Sequence, residues 1–186
     1  MKKNVIVFGL TSGILISTFM AFSMAKCYQS PAGFEGSMLI GFASMIIAFS
    51  FVFIGIKNQR DKYYNGTITF GQAFKTGFLI SLIASTMYVV VWAIEYNYFM
   101  PDFMEKYTEF NVGKIQESGA TQAEINEKLA EMSSAKEMYK NPFWFTLFTY
   151  FEILPVGLAI TVLSALILKR KPKSSGATGA LDSIPG

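Results

Sequence analysis

The chain has 186 residues, of which 52% are hydrophobic and only 16% are charged, whereas soluble domains carry about 25% charged residues. A single cysteine and no histidine exclude a disulfide scaffold and any histidine-based metal site or general base. The apolar content excludes a disordered chain, and the net charge of +3 is too small to indicate nucleic-acid binding. We therefore expect no cofactor, no metal, no nucleic-acid partner and no enzymatic activity.

Four apolar runs organise the chain: residues 5–25, 37–56, 76–94 and 143–168. Each is close to the roughly 20 residues that a helix needs to cross a hydrocarbon core of about 30 Å. A lone segment in lipid must satisfy its own backbone hydrogen bonds, so each run should be helical. The alternative, buried helices of a soluble core, leaves too little polar sequence to cover them. The sequence therefore predicts an all-α, polytopic membrane protein with four transmembrane helices.

The first run has two interpretations. Lys2 and Lys3 precede it, and residues 23–25 (Ser-Met-Ala) resemble a cleavage site, as in a signal peptide. Its apolar stretch is longer than the usual signal core of about 7–15 residues, which favours a retained first helix. Whether this span is cleaved stays open at this point.

Small residues recur every four positions in the first and third runs. The members are Gly9, Gly13 and Ser17 in the first and Gly77 and Ser81 in the third. Small residues on one face let membrane helices approach closely, and Gly9 and Gly13 have the familiar GxxxG spacing. We interpret these positions as packing sites within one bundle, and homodimerisation is the alternative.

Basic residues predict the orientation. The N-terminus, the second loop and the C-terminal segment together hold ten of the 16 basic residues, whereas the loop between the third and fourth runs holds nine acids and five lysines. By the positive-inside rule both termini should be cytoplasmic and the acidic loop should lie outside. The inner loop should also touch anionic lipid headgroups. Its basic residues are Lys57, Arg60, Lys62 and Lys75.

The outer loop predicts a pair of amphipathic helices over about residues 101–140. Gly119 marks a break between them, and Thr121 with Glu124 reads as a capping box. Ile125, Leu129 and Met132 then follow at helical spacing. We expect an outer helical hairpin that rests on the bundle or on the outer leaflet. The four-helix domain should cover residues 1–172, and the Ser, Gly, Ala and Pro-rich tail, residues 173–186, should be disordered.

Glu152 is the only charged residue within a predicted span. About ten residues into its helix, it should lie roughly 14 Å deep, because a helix rises about 1.5 Å per residue. An ionised, unpaired carboxylate there costs several kcal/mol, so Glu152 should be protonated or hydrogen-bonded. Pro155 and Gly157 follow in the same helix, which predicts a kink beside the carboxylate. Two interpretations stay open, a polar link between helices and a proton or cation site.

Three segments carry a family resemblance. They are residues 64–77 (YNGTITFGQAFKTG), residues 139–142 (YKNP) and residues 152–157 (EILPVG), followed by a basic end. Together they resemble the domain of unknown function 4199 family, small membrane proteins common in Bacteroidota. The resemblance extends to about Lys171 and implies an inner-membrane protein with four helices. It implies no activity.

These observations predict an integral protein of the bacterial inner (cytoplasmic) membrane, multi-pass, with the lipid bilayer as its surroundings. We expect a structural or interaction component of the cell envelope. Its partners would be a second copy of the chain or an envelope protein bound through the outer hairpin. The alternative is a small transporter or channel subunit that uses Glu152 beside the Pro155 kink.

Overall fold

The computed structural model describes residues 2–29 and 33–170, with the side chains of residues 33–38 left out of the description. This part of the chain is all-helical. Its six α-helices are α1 (Lys2–Gln29), α2 (Gly33–Tyr63), α3 (Phe70–Ile94), α4 (Phe103–Glu117), α5 (Gln122–Tyr139) and α6 (Pro142–Leu168). A π-helical turn, Glu95–Phe99, extends α3. The all-α prediction is confirmed, and the predicted tail, residues 173–186, lies outside the described residues.

Four helical segments are long and apolar enough to cross a membrane: Lys2–Gln29, Leu39–Tyr63, Phe70–Phe99 and Pro142–Leu168. They have the length and composition of a multi-pass membrane protein, as predicted. Each neighbouring pair packs side by side, with α1 against α2 and α3, and α6 against the same two helices. α1 and α6 therefore lie diagonally across a four-helix bundle.

The third helix begins earlier than the apolar run that predicted it. Thr69 Oγ1 accepts a hydrogen bond from the backbone N–H of Gln72 (3.3 Å), and Gln72 Oε1 accepts one from the backbone N–H of Thr69 (3.0 Å). This capping box satisfies two backbone donors and starts α3 at Phe70 rather than at residue 76. The hydropathy pattern missed it because the first turns of the helix carry polar Gln72 and Lys75.

The lower half of the bundle is densely packed. We define it as α1 to Gly13, α2 from Ala48, α3 to Ser85 and α6 from Gly157. A Cβ on Gly9 would lie 2.8 Å from Cβ of Ile83, and one on Gly77 would lie 2.7 Å from Cγ2 of Thr161. These distances are too short for a methyl group, so the glycines are where the helices approach most closely. The core between them has no exposed surface, and its apolar members include Phe49, Val52, Ile56 and Ile80.

Buried hydrogen bonds link the same helices. Asn4 Nδ2 donates to the carbonyl of Gly55 (2.9 Å), and Ser12 Oγ donates to the carbonyl of Ala48 (2.8 Å), so α1 is bonded to α2 at two levels. Hydrogen bonds between membrane helices contribute about 0.6 kcal/mol each on average. At the end of the lower half, the loop before α3 pairs with the residue after α6, since Ile68 and Arg170 exchange two backbone hydrogen bonds (3.1 and 2.8 Å).

The upper half is defined as α1 from Ile16, α2 to Met45, α3 from Tyr88 and α6 to Glu152, together with α4 and α5. Gly119, at φ +83°, makes the turn between α4 and α5 in the left-handed region that favours glycine. Thr121 and Glu124 form a capping box at the start of α5. Lys136 Nζ then pairs with Glu105 Oε1 at 2.6 Å, which links the two helices.

α4 is fastened to the end of α1 by a polar contact. The Tyr28 hydroxyl donates a hydrogen bond to Asp102, the residue just before α4. Lys106 Nζ lies 3.3 Å from Asp102 Oδ2 and 3.5 Å from the centroid of the Tyr28 ring, so a cation–π contact adds to the ion pair. This Tyr28–Asp102–Lys106 contact holds the start of α4 against the bundle.

Candidate functional site

Glu152 makes one hydrogen bond among the described residues. Its Oε1 accepts from the hydroxyl of Tyr88 on α3 at 3.1 Å. Tyr88 is buried, with 5% of its surface exposed, whereas Glu152 keeps accessible surface. The tyrosine therefore caps one carboxylate oxygen and leaves the carboxyl group reachable from the adjoining cavity.

Seven other hydroxyl groups of the spanning helices could have served as partners for Glu152, but none of them bonds to it. Ser81 bonds to the carbonyl of Gly157 (3.2 Å) and to Thr161, and Thr149 bonds to the carbonyl of Phe145 (2.8 Å). The remaining five are Ser17, Thr18, Ser44, Ser85 and Thr86. Tyr88 reaches Glu152 because its longer side chain spans from α3 to α6, which a serine at the same depth would not do.

A cavity of about 400 Å³ lies in the upper half, between helices α4 and α5 and the upper parts of the four long helices. Five of the six α-helices contribute several residues to its wall, and α6 contributes Glu152. Its methionines are Met20, Met24, Met45, Met104 and Met132. Its aromatic residues are Phe19, Phe42, Tyr88, Trp92, Phe103, Tyr107 and Tyr139. The volume is in the range of small-molecule sites, and the wall is apolar with a few polar groups, as such sites are.

Helices α4 and α5 form the roof of this cavity, and aromatic contacts hold them in place. The ring of Trp92 on α3 lies edge-on to that of Phe103 on α4, with centroids 5.0 Å apart, and Phe103 stacks on Tyr107 at 5.9 Å. Tyr139 on α5 lies edge-on to Phe145 on α6 at 5.3 Å. Each such pair contributes about 0.5–1.5 kcal/mol beyond its buried area. Tryptophan and tyrosine near the ends of membrane spans often lie at the membrane interface. Trp92 and Tyr139 instead pack against other rings of the protein.

Hydrogen-bond partners shift the pKa values of the charged groups on α4 and α5. The hydrogen bond from Tyr28 holds the pKa of Asp102 below its ordinary value, and the hydrogen bond from Lys136 does the same for Glu105. The pKa of Lys136 is raised by the same contact. Burial raises the pKa of Tyr139 to about 12, so this cavity residue stays neutral at physiological pH.

The other predicted site residues lie in α6 below Glu152 and at the contacts between helices. Pro155 and Gly157 lie below Glu152 in α6, which continues through the proline. A Cβ on Gly157 would lie 2.9 Å from the Phe49 ring, so this glycine admits a close contact with α2. The small residues Gly9, Gly13, Ser17, Gly77 and Ser81 are all buried inside the bundle.

The predicted headgroup residues gather at the far end of the lower half. Lys57, Lys62 and Lys75 are exposed, and Arg60 is half-buried, with its Nε 2.7 Å from Asp61 Oδ1. Their contact with lipid stays a prediction. Within the described ranges, no three histidine, cysteine, aspartate or glutamate side chains come together as a metal site would require.

Sequence reasoning identified Glu152 but missed the cavity it faces. The lining residues are divided among six helices, and five of these contribute ordinary apolar residues to the wall. One local signal was readable: Thr69 and Gln72 have the spacing of a capping box, like Thr121 and Glu124.

The comparisons with known proteins give one match. The sequence profile described as "Protein of unknown function (DUF4199)" matches residues 7–170. The chain belongs to the DUF4199 family. No curated protein and no solved structure matches the chain. The resemblance found in the three sequence segments is therefore confirmed. DUF4199 membership assigns no activity to the cavity or to Glu152.

Proposed function

We propose that this DUF4199 protein is a non-enzymatic interaction component of the bacterial cell envelope. It would lie in the inner (cytoplasmic) membrane with both termini in the cytoplasm and with α4 and α5 outside. The observation that carries this proposal is the surface of α4 and α5, which faces away from the bundle and is rich in exposed acids. Those exposed acids are Glu105, Glu109, Glu117, Glu124, Glu127, Glu131 and Glu137.

The charge of this surface suggests the chemistry of the partner. Glu124, Glu127 and Glu131 line a groove between the end of α4 and the start of α5, and Lys128 pairs with Glu131 at 2.7 Å. Glu124 is engaged in the capping box, whereas Glu127 is exposed on the same face of α5. An exposed acidic groove favours a basic segment, since complementary charge steers association and sets specificity.

The outward face of α5 offers a matched pair of positions for finding the partner. Leu129 is 43% exposed, whereas Ile125, one turn earlier, is 9% exposed and faces inward. A photo-crosslinking amino acid at Leu129 should capture a discrete envelope protein in intact cells, and the same group at Ile125 should capture none. The adduct should disappear when Glu127 and Glu131 are both changed to lysine. Crosslinks to lipid alone, or an adduct that survives the charge reversal, would count against the proposal.

The orientation needs a separate test, because the unique Cys27 is only 3% exposed and reports poorly on its side of the membrane. A Glu127→Cys variant in a Cys27→Ser background places a thiol on the exposed face of α5. An impermeant maleimide should label it in intact cells, whereas Lys62→Cys should be labelled only after the cells are broken. The reverse pattern would refute the outward placement of α4 and α5.

The transporter alternative gains no support from the bundle. Below Glu152 the space between the helices is filled by side chains with no exposed surface, among them Phe49, Ile80 and Ile153. A conducting protein would need a polar route at this level. The cavity is better suited to holding a molecule than to passing one across the membrane.

A further inference from the structure

We propose that the cavity beneath α4 and α5 binds a lipophilic organic cation, with its ammonium-type group against the Glu152 carboxylate and its apolar body among the methionine and aromatic side chains. This site is separate from the partner surface on α5. The inference does not depend on the proposed partner, and either can fail without the other.

The Glu152 carboxylate has few partners within the protein. A carboxylate can accept about four hydrogen bonds, and Glu152 receives one, from Tyr88. The described residues that line the cavity include no lysine and no arginine. An ionised Glu152 would therefore have no counter-charge from these residues at a depth that the sequence places within the membrane, which is costly unless a cation is supplied. A cationic ligand would provide this counter-charge.

Aromatic side chains form much of the cavity wall. Trp92, Phe103 and Tyr107 form a run of ring contacts, and Tyr88, the donor to Glu152, lies one helical turn from Trp92 on α3. Aromatic faces attract cations, tryptophan most strongly, and desolvated contacts contribute about 2 kcal/mol or more. Quaternary ammonium groups are the ligands that such surfaces recognise best, because they carry charge but need no hydrogen bonds. A carboxylate beside aromatic rings thus selects a cation over a neutral or anionic molecule.

The rest of the cavity wall suits the apolar body of such a ligand. Five methionines line the cavity, and their unbranched thioether chains adapt to apolar shapes better than branched side chains do. The floor is closed by the packed lower half, and the roof is held by Tyr28, Asp102 and Lys106. The cavity therefore fits a compact apolar group of limited size with one positive end.

The test uses the two tryptophans of the chain as internal reporters. Trp92 lines the cavity and is 6% exposed, whereas Trp144 lies outside its lining and is 41% exposed. N-decylpyridinium, a lipophilic cation that quenches indole fluorescence, is titrated into the full chain in phosphatidylglycerol nanodiscs. In a Trp144→Phe variant, Trp92 should be quenched saturably. In a Trp92→Phe variant, Trp144 should show only the unsaturable quenching that partitioning into lipid causes.

Glu152→Gln is the decisive variant, since its amide oxygen can still accept from Tyr88 and the fold should be kept. In the Trp144→Phe background it should raise the apparent Kd at least tenfold. Equal affinity of the two proteins would overturn the proposal. A test without any variant at position 152 uses 4-decylpyridine in its neutral form. It should not compete with the pyridinium ion, and full competition would also overturn the proposal.

The cation could be a free lipophilic amine or the headgroup of an amine-bearing phospholipid, and the lipid composition separates the two sources. If phosphatidylethanolamine in the nanodisc raises the apparent Kd for decylpyridinium, the lipid headgroup occupies the cavity. If it leaves the Kd unchanged while a free alkylammonium salt competes, the ligand is a free cation. Competition by decyl sulfate as strong as that by the alkylammonium salt would contradict both.

Discussion

The two halves of this bundle differ in packing density. In the lower half, glycines let the helices touch, and the core residues Phe49, Val52 and Ile80 have no exposed surface. In the upper half, α4 and α5 roof a cavity of about 400 Å³ with Glu152 on its wall. A methyl group would clash at Gly77, whereas one at Gly41, on the cavity wall, would meet nothing within 4 Å. The lower half is thus closed by tight packing, and the upper half leaves space that a ligand can fill.

The largest expected effect comes from adding volume to the lower half. Gly77→Leu forces a side chain against Thr161 and Ile56, which a Cβ alone would approach to 2.7 and 2.9 Å. Overpacking typically costs about 1–3 kcal/mol. We expect Gly77→Leu to lower the thermal unfolding temperature or abolish monodisperse purification. Gly41→Leu is the matched control and should fold normally while it blocks quenching of Trp92. Equal tolerance of the two variants would remove the contrast between the halves.

The next effect concerns how firmly the roof is held. Tyr28→Phe removes the hydroxyl that donates to Asp102 and keeps the ring under Lys106. We expect faster backbone hydrogen exchange in α4 and α5, with the lower half of α1 and α3 unchanged, because the lost contact lies only between α1 and α4. Exchange that rises equally in both halves would show that the roof is part of one cooperative unit with the lower bundle.

Lowering the pH should weaken the contacts of the roof, with a smaller effect than the substitutions. In the folded chain, Asp102 and Glu105 have pKa values below their ordinary values of about 4. A lowered pKa means that their stabilising contacts are complete above the ordinary value and are lost as the pH falls through the lowered one. We expect no change in crosslinking between α1 and α4 from pH 8 to pH 5, and a loss below about pH 4. A loss between pH 5 and pH 8 would contradict these shifts.

The four spans could be predicted because burial in lipid requires little beyond a long apolar run, and the runs here are long. The glycine positions were also readable, but not their contacts. Whether Gly9 faces Ile83 or another chain depends on helix rotation, which apolar composition leaves open. Helix rotation also decides which of eight hydroxyl residues bonds to Glu152, and for this reason Tyr88 could not be identified from the sequence. The cavity was beyond prediction because it arises from how α4 and α5 sit on the bundle.

The contrast between the halves can be measured most directly by the reactivity of two buried serines replaced by cysteine in a Cys27→Ser background. Ser44 lines the cavity and is 6% exposed, and Ser81 in the lower half is 0% exposed. A trimethylammonium methanethiosulfonate reagent should modify Ser44→Cys readily and faster than its anionic sulfonate counterpart does, whereas Ser81→Cys should resist both. Equal protection of the two thiols, or faster reaction with the anion at Ser44→Cys, would contradict a cation-selective cavity above a closed core.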